Sequence, residues 1–302
     1  MSILTFMKSL IADPPPEFAF EISASGIAWA EPSKPAAIEW TPLPEGAIAV
    51  SPLEDNVRQP EALAAAVRLI ALSGSAKKRR RAALILPDYS ARITVLDFDT
   101  FPADPQEQIQ LARFRVKRVV PFDIDSAVIA CYPQQRAGSK KLDVVVAVVN
   151  MDVASHFEAP FRAAGFQCGF VTISALAALS LPGDSGADAA SPSVVAKLSG
   201  NVLAVSLIEG ATVRMIRCVE LRDSGLQEAA DVLATTFAYA EDELGARPQV
   251  LRLCGLPRDA GDLRRRWSDE FGLPVTGVHS RFGSPGAFNS GLHGYLHSLA
   301  GS

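Results

Sequence analysis

The sequence is poor in the features that most quickly narrow a protein's chemistry. It has only four cysteines, Cys131, Cys168, Cys218 and Cys254. They lie far apart with no Cys-x-x-Cys spacing, which excludes a disulfide framework or a zinc ribbon and leaves reduced thiols in strands or core. Long apolar stretches are missing too. Runs such as Val144–Val149 stop far short of the roughly 18 residues a membrane helix needs. The start, Met1–Ala12, is apolar but holds Lys8 and is followed by no small-residue cleavage site, which argues against a secretory signal. Positive charge is not in excess: 29 Lys and Arg face 33 Asp and Glu, for a net charge of −4. No general attraction for nucleic acid follows from that balance. Nucleophile motifs are absent, since no Ser/His/Asp arrangement can be argued and nothing around Cys254 activates a thiol. His293 and His297 stand four apart but lack the Glu of a His-Glu-x-x-His metal site, so they read as a polar helix end.

What is present is an ordinary globular composition, 48% hydrophobic and 21% charged over 302 residues. That length is too great for one small core and suits two lobes. Asp13-Pro-Pro-Pro16 reads as a stiff spacer, and 18–50 as rich in strands. Gln59–Leu72 carries Leu63, Ala66 and Ile70 at helical spacing, and Arg81–Pro87 is a short buried strand. From about 97 to 168 the order is a helix (106–119, ended by Val120-Pro121), two strands (127–134 and 142–149) around a Gly-Ser-Lys-Lys turn, and a helix (153–164). This reads as a small α/β unit inserted in a first lobe over 18–182. Pro182–Pro192 is a linker. A second lobe over 191–302 then repeats the order: a hairpin (194–217), a helix (226–244), a strand (249–254), a helix on Leu263, Trp267 and Phe271, and a strand (273–278). The last segment is expected to return to the first lobe. The fold class is therefore α/β, with two lobes built on one repeated plan.

Each lobe opens on strand, tight turn, strand. The first hairpin is Phe20–Glu31 and the second Val194–Gly210. Hairpins that grip a nucleotide phosphate need a strand-end carboxylate for the Mg²⁺ shell and an adjacent Gly, so that backbone N–H groups can close on the anion. Here the first has Glu21 followed by Ser23, Ala24, Ser25 and Gly26, and the second has Lys197, Ser199 and Gly200.

This arrangement resembles the actin/sugar-kinase ATPase fold, in its FtsA-like branch, and specifically the PilM family of type IV pilus assembly proteins. Leu43-Pro-Glu-Gly-Ala-Ile48 is the most specific match. Glu21–Ala28, Ala83–Pro87, Arg118–Phe122, Ala163–Phe166, Glu209-Gly210 with Arg217, and Gly291-Leu292 follow in the family's order over about 18–293. The resemblance implies vestigial phosphate turns at Glu21, Ser23, Ser25 and Gly26 and at Lys197, Ser199 and Gly200, with an adenosine turn at Gly255-Leu256. The departures lie in those same turns. Ser23 and Ala28 replace a Gly and a Lys, Lys197-Leu-Ser199 and Leu203 replace Asp-Ile-Gly and Thr, and Leu256 replaces a second Gly. Phosphoryl transfer rests on positioning and charge neutralisation, so the substitutions point to a non-catalytic scaffold without a bound cofactor. ATP with Mg²⁺ is the ligand the fold would take if the turns still worked.

The resemblance further implies docking of the cytoplasmic tail of a single-span, PilN-like inner-membrane protein, beside the inserted unit and near 106–119 and 127–149. A cytoplasmic pilus or secretion motor ATPase is an implied partner, and the implied place is cytoplasmic, peripheral at the inner membrane through the partner. The same scaffold serves GspL-like secretion proteins, which continue into a membrane helix. The alternative is an active ATPase or small-molecule kinase. Lys197 reads either as an ammonium at the vacant cation or phosphate position or as a solvent-facing strand residue. Lys77–Arg81 reads as a solvated loop, with an anionic membrane surface as the other option.

Overall fold

A computed structural model of the chain describes residues 16–33, 38–73, 80–135, 138–183, 191–222, 225–245, 247–256 and 261–301. The N-terminal segment, most of the Asp13–Pro16 spacer, most of the 182–192 linker and residues 77–79 of the basic run lie outside them.

The first lobe is built on β1 (Phe18–Ile22), β2 (Gly26–Ala30), β3 (Glu39–Pro42), β4 (Arg80–Leu86) and β8 (Phe166–Ile173). They form one sheet in the order β3-β2-β1-β4-β8. β1 pairs antiparallel with β2 and parallel with β4, which pairs parallel with β8. Parallel strands are covered on both faces, which is why β1 and β4 read as nearly continuous apolar runs. Two helices, α1 (Pro60–Ser73) and α3 (Met151–Ala163), cover one face. α1 buries Leu63, Ala66, Val67 and Ile70, and α3 buries Val153, Ala154, Phe157 and Phe161. Phe20 meets Phe161 at 4.9 Å and Phe166 at 5.0 Å between ring centroids. Arg80 lies over the Phe166 ring at 4.4 Å and donates to Ala71 O.

The second lobe repeats the plan. β9 (Ser193–Ser199), β10 (Val202–Glu209), β11 (Thr212–Glu220), β12 (Val250–Cys254) and β13 (Val275–Gly277) form a sheet in the order β11-β10-β9-β12-β13. The pairings again run antiparallel, antiparallel, parallel, parallel. α5 (Leu226–Leu244) and α6 (Gly261–Phe271) cover it. Their Leu233, Phe237, Trp267 and Phe271 pack on Val194, Val205 and Leu251.

Between β4 and β8 the chain builds a third sheet from β5 (Arg92–Phe98), β6 (Ala127–Gln135) and β7 (Leu142–Asn150), in the order β5-β7-β6. Its core is closed by α2 (Pro105–Val116) through Ala112 and Val116. Asp104 caps α2, accepting from Gln106 and Glu107 N–H. The helix ends at Val116 instead of 119, because 117–119 form hydrogen-bonded turns that lead into Pro121. The small sheet begins at Arg92, and α3 belongs to the first sheet's core. Amphipathic spacing shows that a helix has an apolar face, not which sheet that face will cover.

The chain closes with α4 (Ser174–Ala178) after β8 and α7 (Ser290–Gly301) after β13. α7 returns to the first sheet, where Leu292, Tyr295 and Leu296 pack on Ala19, Ala83 and Ile85. The two helices cross in close contact, and a Cβ at Gly294 would lie 2.0 Å from Ala177 O. Only glycine fits that crossing.

Candidate functional site

The ends of β1, β4 and β9 converge at the floor of a cleft of about 380 Å³ between the two large sheets. Three charged groups meet there. Glu21 sits on β1, Asp88 follows Pro87 just after β4, and Lys197 sits on β9; each is only 2% exposed. Lys197 Nζ donates to Asp88 Oδ2 at 2.6 Å and also to Ser199 Oγ. Ser199 Oγ in turn donates to Ala287 O at 2.9 Å. The solvent-facing reading of Lys197 is therefore overturned: its ammonium is sealed inside, pairing with a carboxylate of the opposite lobe.

The other carboxylate oxygens are also taken. Asp88 Oδ1 accepts the Ala175 N–H at 2.6 Å. Glu21 Oε1 accepts the Ser174 hydroxyl, and Oε2 accepts the Leu292 N–H at 2.7 Å. Ala175 and Leu292 lie in the first turns of α4 and α7, where N–H groups have no partner inside the helix and negative charge is favoured. The two strand-end carboxylates thus cap the two helices that cross beneath the cleft. Burial pushes the Glu21 carboxyl above its ordinary value, and Lys197, Ser174 and Leu292 only partly oppose that push. Burial alone would lower Lys197, but Asp88 and Glu21 together outweigh it and hold the ammonium above its ordinary value.

The hairpin turns line the same cleft. Ser23 is buried and closes its own turn, with both N–H and Oγ donating to Gly26 O at 2.9 Å. Ser25 and Ala24 face the cleft. A Cβ at Gly26 would strike Thr41 O and the Trp40 ring, so this glycine serves packing between β2 and β3. Gly200 makes the β9–β10 turn at φ +61°. Gly255 and Leu256 line an adjoining cleft of about 450 Å³, together with Leu198, Gly200 and residues 284–288. Gly255 has φ +80°, and a Cβ there would lie 2.2 Å from Leu198 O. The structure thus brings Glu21, Ser23, Ser25, Lys197, Ser199 and Gly200 to one cleft and Gly255 and Leu256 to the cleft beside it, whereas Gly26 lies against β3.

Asp88 and Ser174 were missed in the sequence. The signal for Asp88 was available: a carboxylate directly after a wholly apolar parallel strand, at its C-terminal end, where α/β sheets place their ligand crevices. His293 is not at a wet helix end; it is buried, its Nδ1 lies 2.9 Å from Ser280 Oγ, and burial pulls its pKa down to about 4. All four cysteines are free, and burial pushes Cys254 up to about 11.

Two further features bear on partners. The small sheet is tied to the second lobe by Gln134, whose side-chain amide accepts from Val213 N–H (2.9 Å) and donates to Val213 O (3.1 Å). Arg214 adds a 3.1 Å ion pair with the buried Asp143. On its other side the small sheet faces β8 and α3 across an apolar groove of about 190 Å³. Val128 and Ala130 of β6 pair with Val149 and Ala147 of β7, so this one apolar face of the sheet forms the floor. Val171 and Ile173 of β8, with Ala154 of α3, form the wall. β6 and β8 are both edge strands of their sheets.

Compared with known proteins, the chain matches no family model, and no curated protein matches it. Among solved structures it is similar to the PilM-PilN type IV pilus biogenesis complex, at 17% identity and a TM-score of 0.69, over 88% of this chain and 89% of that one. With the duplicated sheet order, this likeness decides the architecture. The chain has a two-lobed actin-like ATPase fold. Weaker likenesses are to the cytoplasmic domain of EpsL, an inner-membrane component of the type II secretion system of Vibrio cholerae (14% identity, TM-score 0.46, 80% and 83% covered), and to a Bacteroides thetaiotaomicron protein with an actin-like ATPase fold (12%, 0.47, 85% and 89%). Among the described residues of this actin-like chain, no helix is long and apolar enough to cross a membrane.

Proposed function

We propose that this chain is a non-catalytic, PilM-like scaffold at the cytoplasmic face of the inner membrane. In this reading it docks the cytoplasmic tail of a single-span PilN-like protein and links it to a cytoplasmic pilus or secretion motor. One observation carries the non-catalytic part. The carboxylates and the ammonium at the cleft floor are spent on one another and on helix ends, so they do not fit a Mg²⁺-nucleotide. A hard divalent cation needs uncompensated carboxylate charge, whereas the Lys197 ammonium already neutralises Asp88 and each oxygen of Glu21 and Asp88 accepts a protein donor. Lys197 places positive charge where a second metal-ordering carboxylate is required. Glu21, Ser23, Ser25, Gly26, Lys197, Ser199, Gly200, Gly255 and Leu256 are then the remains of a nucleotide site that now holds the two lobes together.

Docking is supported by the overall likeness to PilM in its complex with PilN and by the groove beside the small sheet. An extended peptide gains affinity by backbone pairing with a free strand edge and specificity from alternate side-chain pockets; β6 and β8 offer such edges on either side of an apolar floor. The test is fluorescence anisotropy with the labelled cytoplasmic tail of a PilN-like single-span protein from the same organism. Saturable binding that is lost in Ala130→Trp, which fills the groove, is the expected outcome. Binding unaffected by that substitution contradicts the assigned site, and no binding contradicts the docking itself.

A further inference from the structure

The groove holds one charged side chain among its described lining residues, Glu158 on the second half of α3. Every other lining side chain is aliphatic apart from the Thr172 hydroxyl. Glu158 is largely sheltered, with its side chain 17% exposed. Its Oε2 is held by Arg162 one helical turn on, and Arg162 itself is mostly in solvent, 61% exposed. The same carboxylate adds, after burial, to the upward push on the Cys168 thiol at the start of β8.

An acid with one oxygen unpaired on an apolar wall costs desolvation when a wholly apolar occupant covers it, and favours an occupant that brings a cation to the same place. Cytoplasmic segments flanking a single membrane span are enriched in Lys and Arg. We infer that Glu158 is the specificity-determining residue of the groove, selecting an extended aliphatic peptide that carries one basic side chain. This rests on the docking reading above and names the chemistry of the tail it would take. The aliphatic residues lie on Val128, Ala130, Ala147 and Val171, and the cation pairs with the Glu158 oxygen that Arg162 does not hold. A charge-assisted bond in this sheltered place is worth about a tenfold difference in affinity.

The experiment uses the full chain and two acetylated ten-residue peptides of leucine and serine, identical except for lysine or norleucine at one central position. Wild-type protein is expected to bind the lysine peptide about tenfold more tightly than the norleucine peptide. Glu158→Gln should erase that difference by weakening the lysine peptide and strengthening the norleucine peptide, which no longer covers a charge. Arg162→Gln, which leaves Glu158 in place without its internal partner, should enlarge the difference. If both peptides bind, are blocked by Ala130→Trp and show no lysine preference, the role of Glu158 is overturned while the docking groove stands. A lysine preference that survives in Glu158→Gln overturns it equally. If Ala130→Trp has no effect or neither peptide binds, the groove falls as a docking site and this inference falls with it.

Discussion

Removing the Lys197 ammonium probes the cleft directly. In Lys197→Met the aliphatic stem stays, but Asp88 remains as a buried carboxylate whose Oδ2 has lost its partner. Glu21 loses the nearest cation that opposes its burial. Breaking a buried pair from one side costs about 3–5 kcal/mol, because an uncompensated charge stays behind. For a chain of this size that lowers the melting temperature by on the order of 10 °C. Asp88→Asn keeps an oxygen for the Ala175 N–H and strands the lysine instead, so its loss should be similar. The double variant Lys197→Met/Asp88→Asn leaves no unpaired charge at the pair and should be more stable than either single one. The assay is scanning calorimetry of the four proteins as a double-mutant cycle. The pH dependence gives an independent check. Because the folded protein holds Lys197 above the ordinary 10.5, its contribution is fully present below that pH and is lost as pH rises through the higher folded value. Wild type should therefore lose stability more steeply above pH 10.5 than Lys197→Met. Single variants costing less than about 1 kcal/mol, as an exposed pair would, or costs that simply add, would refute a coupled buried pair between Lys197 and Asp88.

Other predictions address the turns and the buried His293. Gly255→Ala forces both a left-handed φ and a clash with Leu198 O, so it should cost roughly 1–3 kcal/mol or more, while Gly200→Ala, with open space around it, should cost only about 1 kcal/mol; urea unfolding of the two decides this, and equal losses would contradict the tight packing of the Gly255 turn. His293 is held neutral, with its pKa pulled from 6.5 to about 4, so its contribution is present above 6.5 and fades as pH falls toward 4. The acid limb of stability should be shallower in His293→Gln than in wild type, and an identical limb would show that His293 protonates freely.

The repeat of hairpin, helix and strand was legible because its signals are local. The 226–244 stripe matches α5 to the residue, and both hairpins form where alternate apolar runs meet turn residues. β8, α4 and α7 were less legible for a physical reason. β8 carries exposed Phe170 and Val171 at a sheet edge, and α4 is only five residues long. α7 carries glycines that serve its crossing with α4 and weaken any helical signal. In the site, the sequence marks Glu21 and Lys197 as the charges at the two hairpin strands without deciding whether Lys197 faces the cleft or solvent. What the sequence could not show was their pairing. Asp88 lies 109 residues from Lys197 and Ser174 lies 153 from Glu21, so the ion pair and the two helix caps exist only once the sheets have met.

Fluorescent ATP titrated into the purified protein with and without Mg²⁺ decides whether the cleft has exchanged nucleotide for an internal ion pair. No saturable binding is expected in either condition, with Lys197→Asp as the substitution that begins to restore it. Saturable binding by wild type that requires Mg²⁺ would contradict that exchange, because the carboxylates would then have to release α4, α7 and Lys197 to hold the metal.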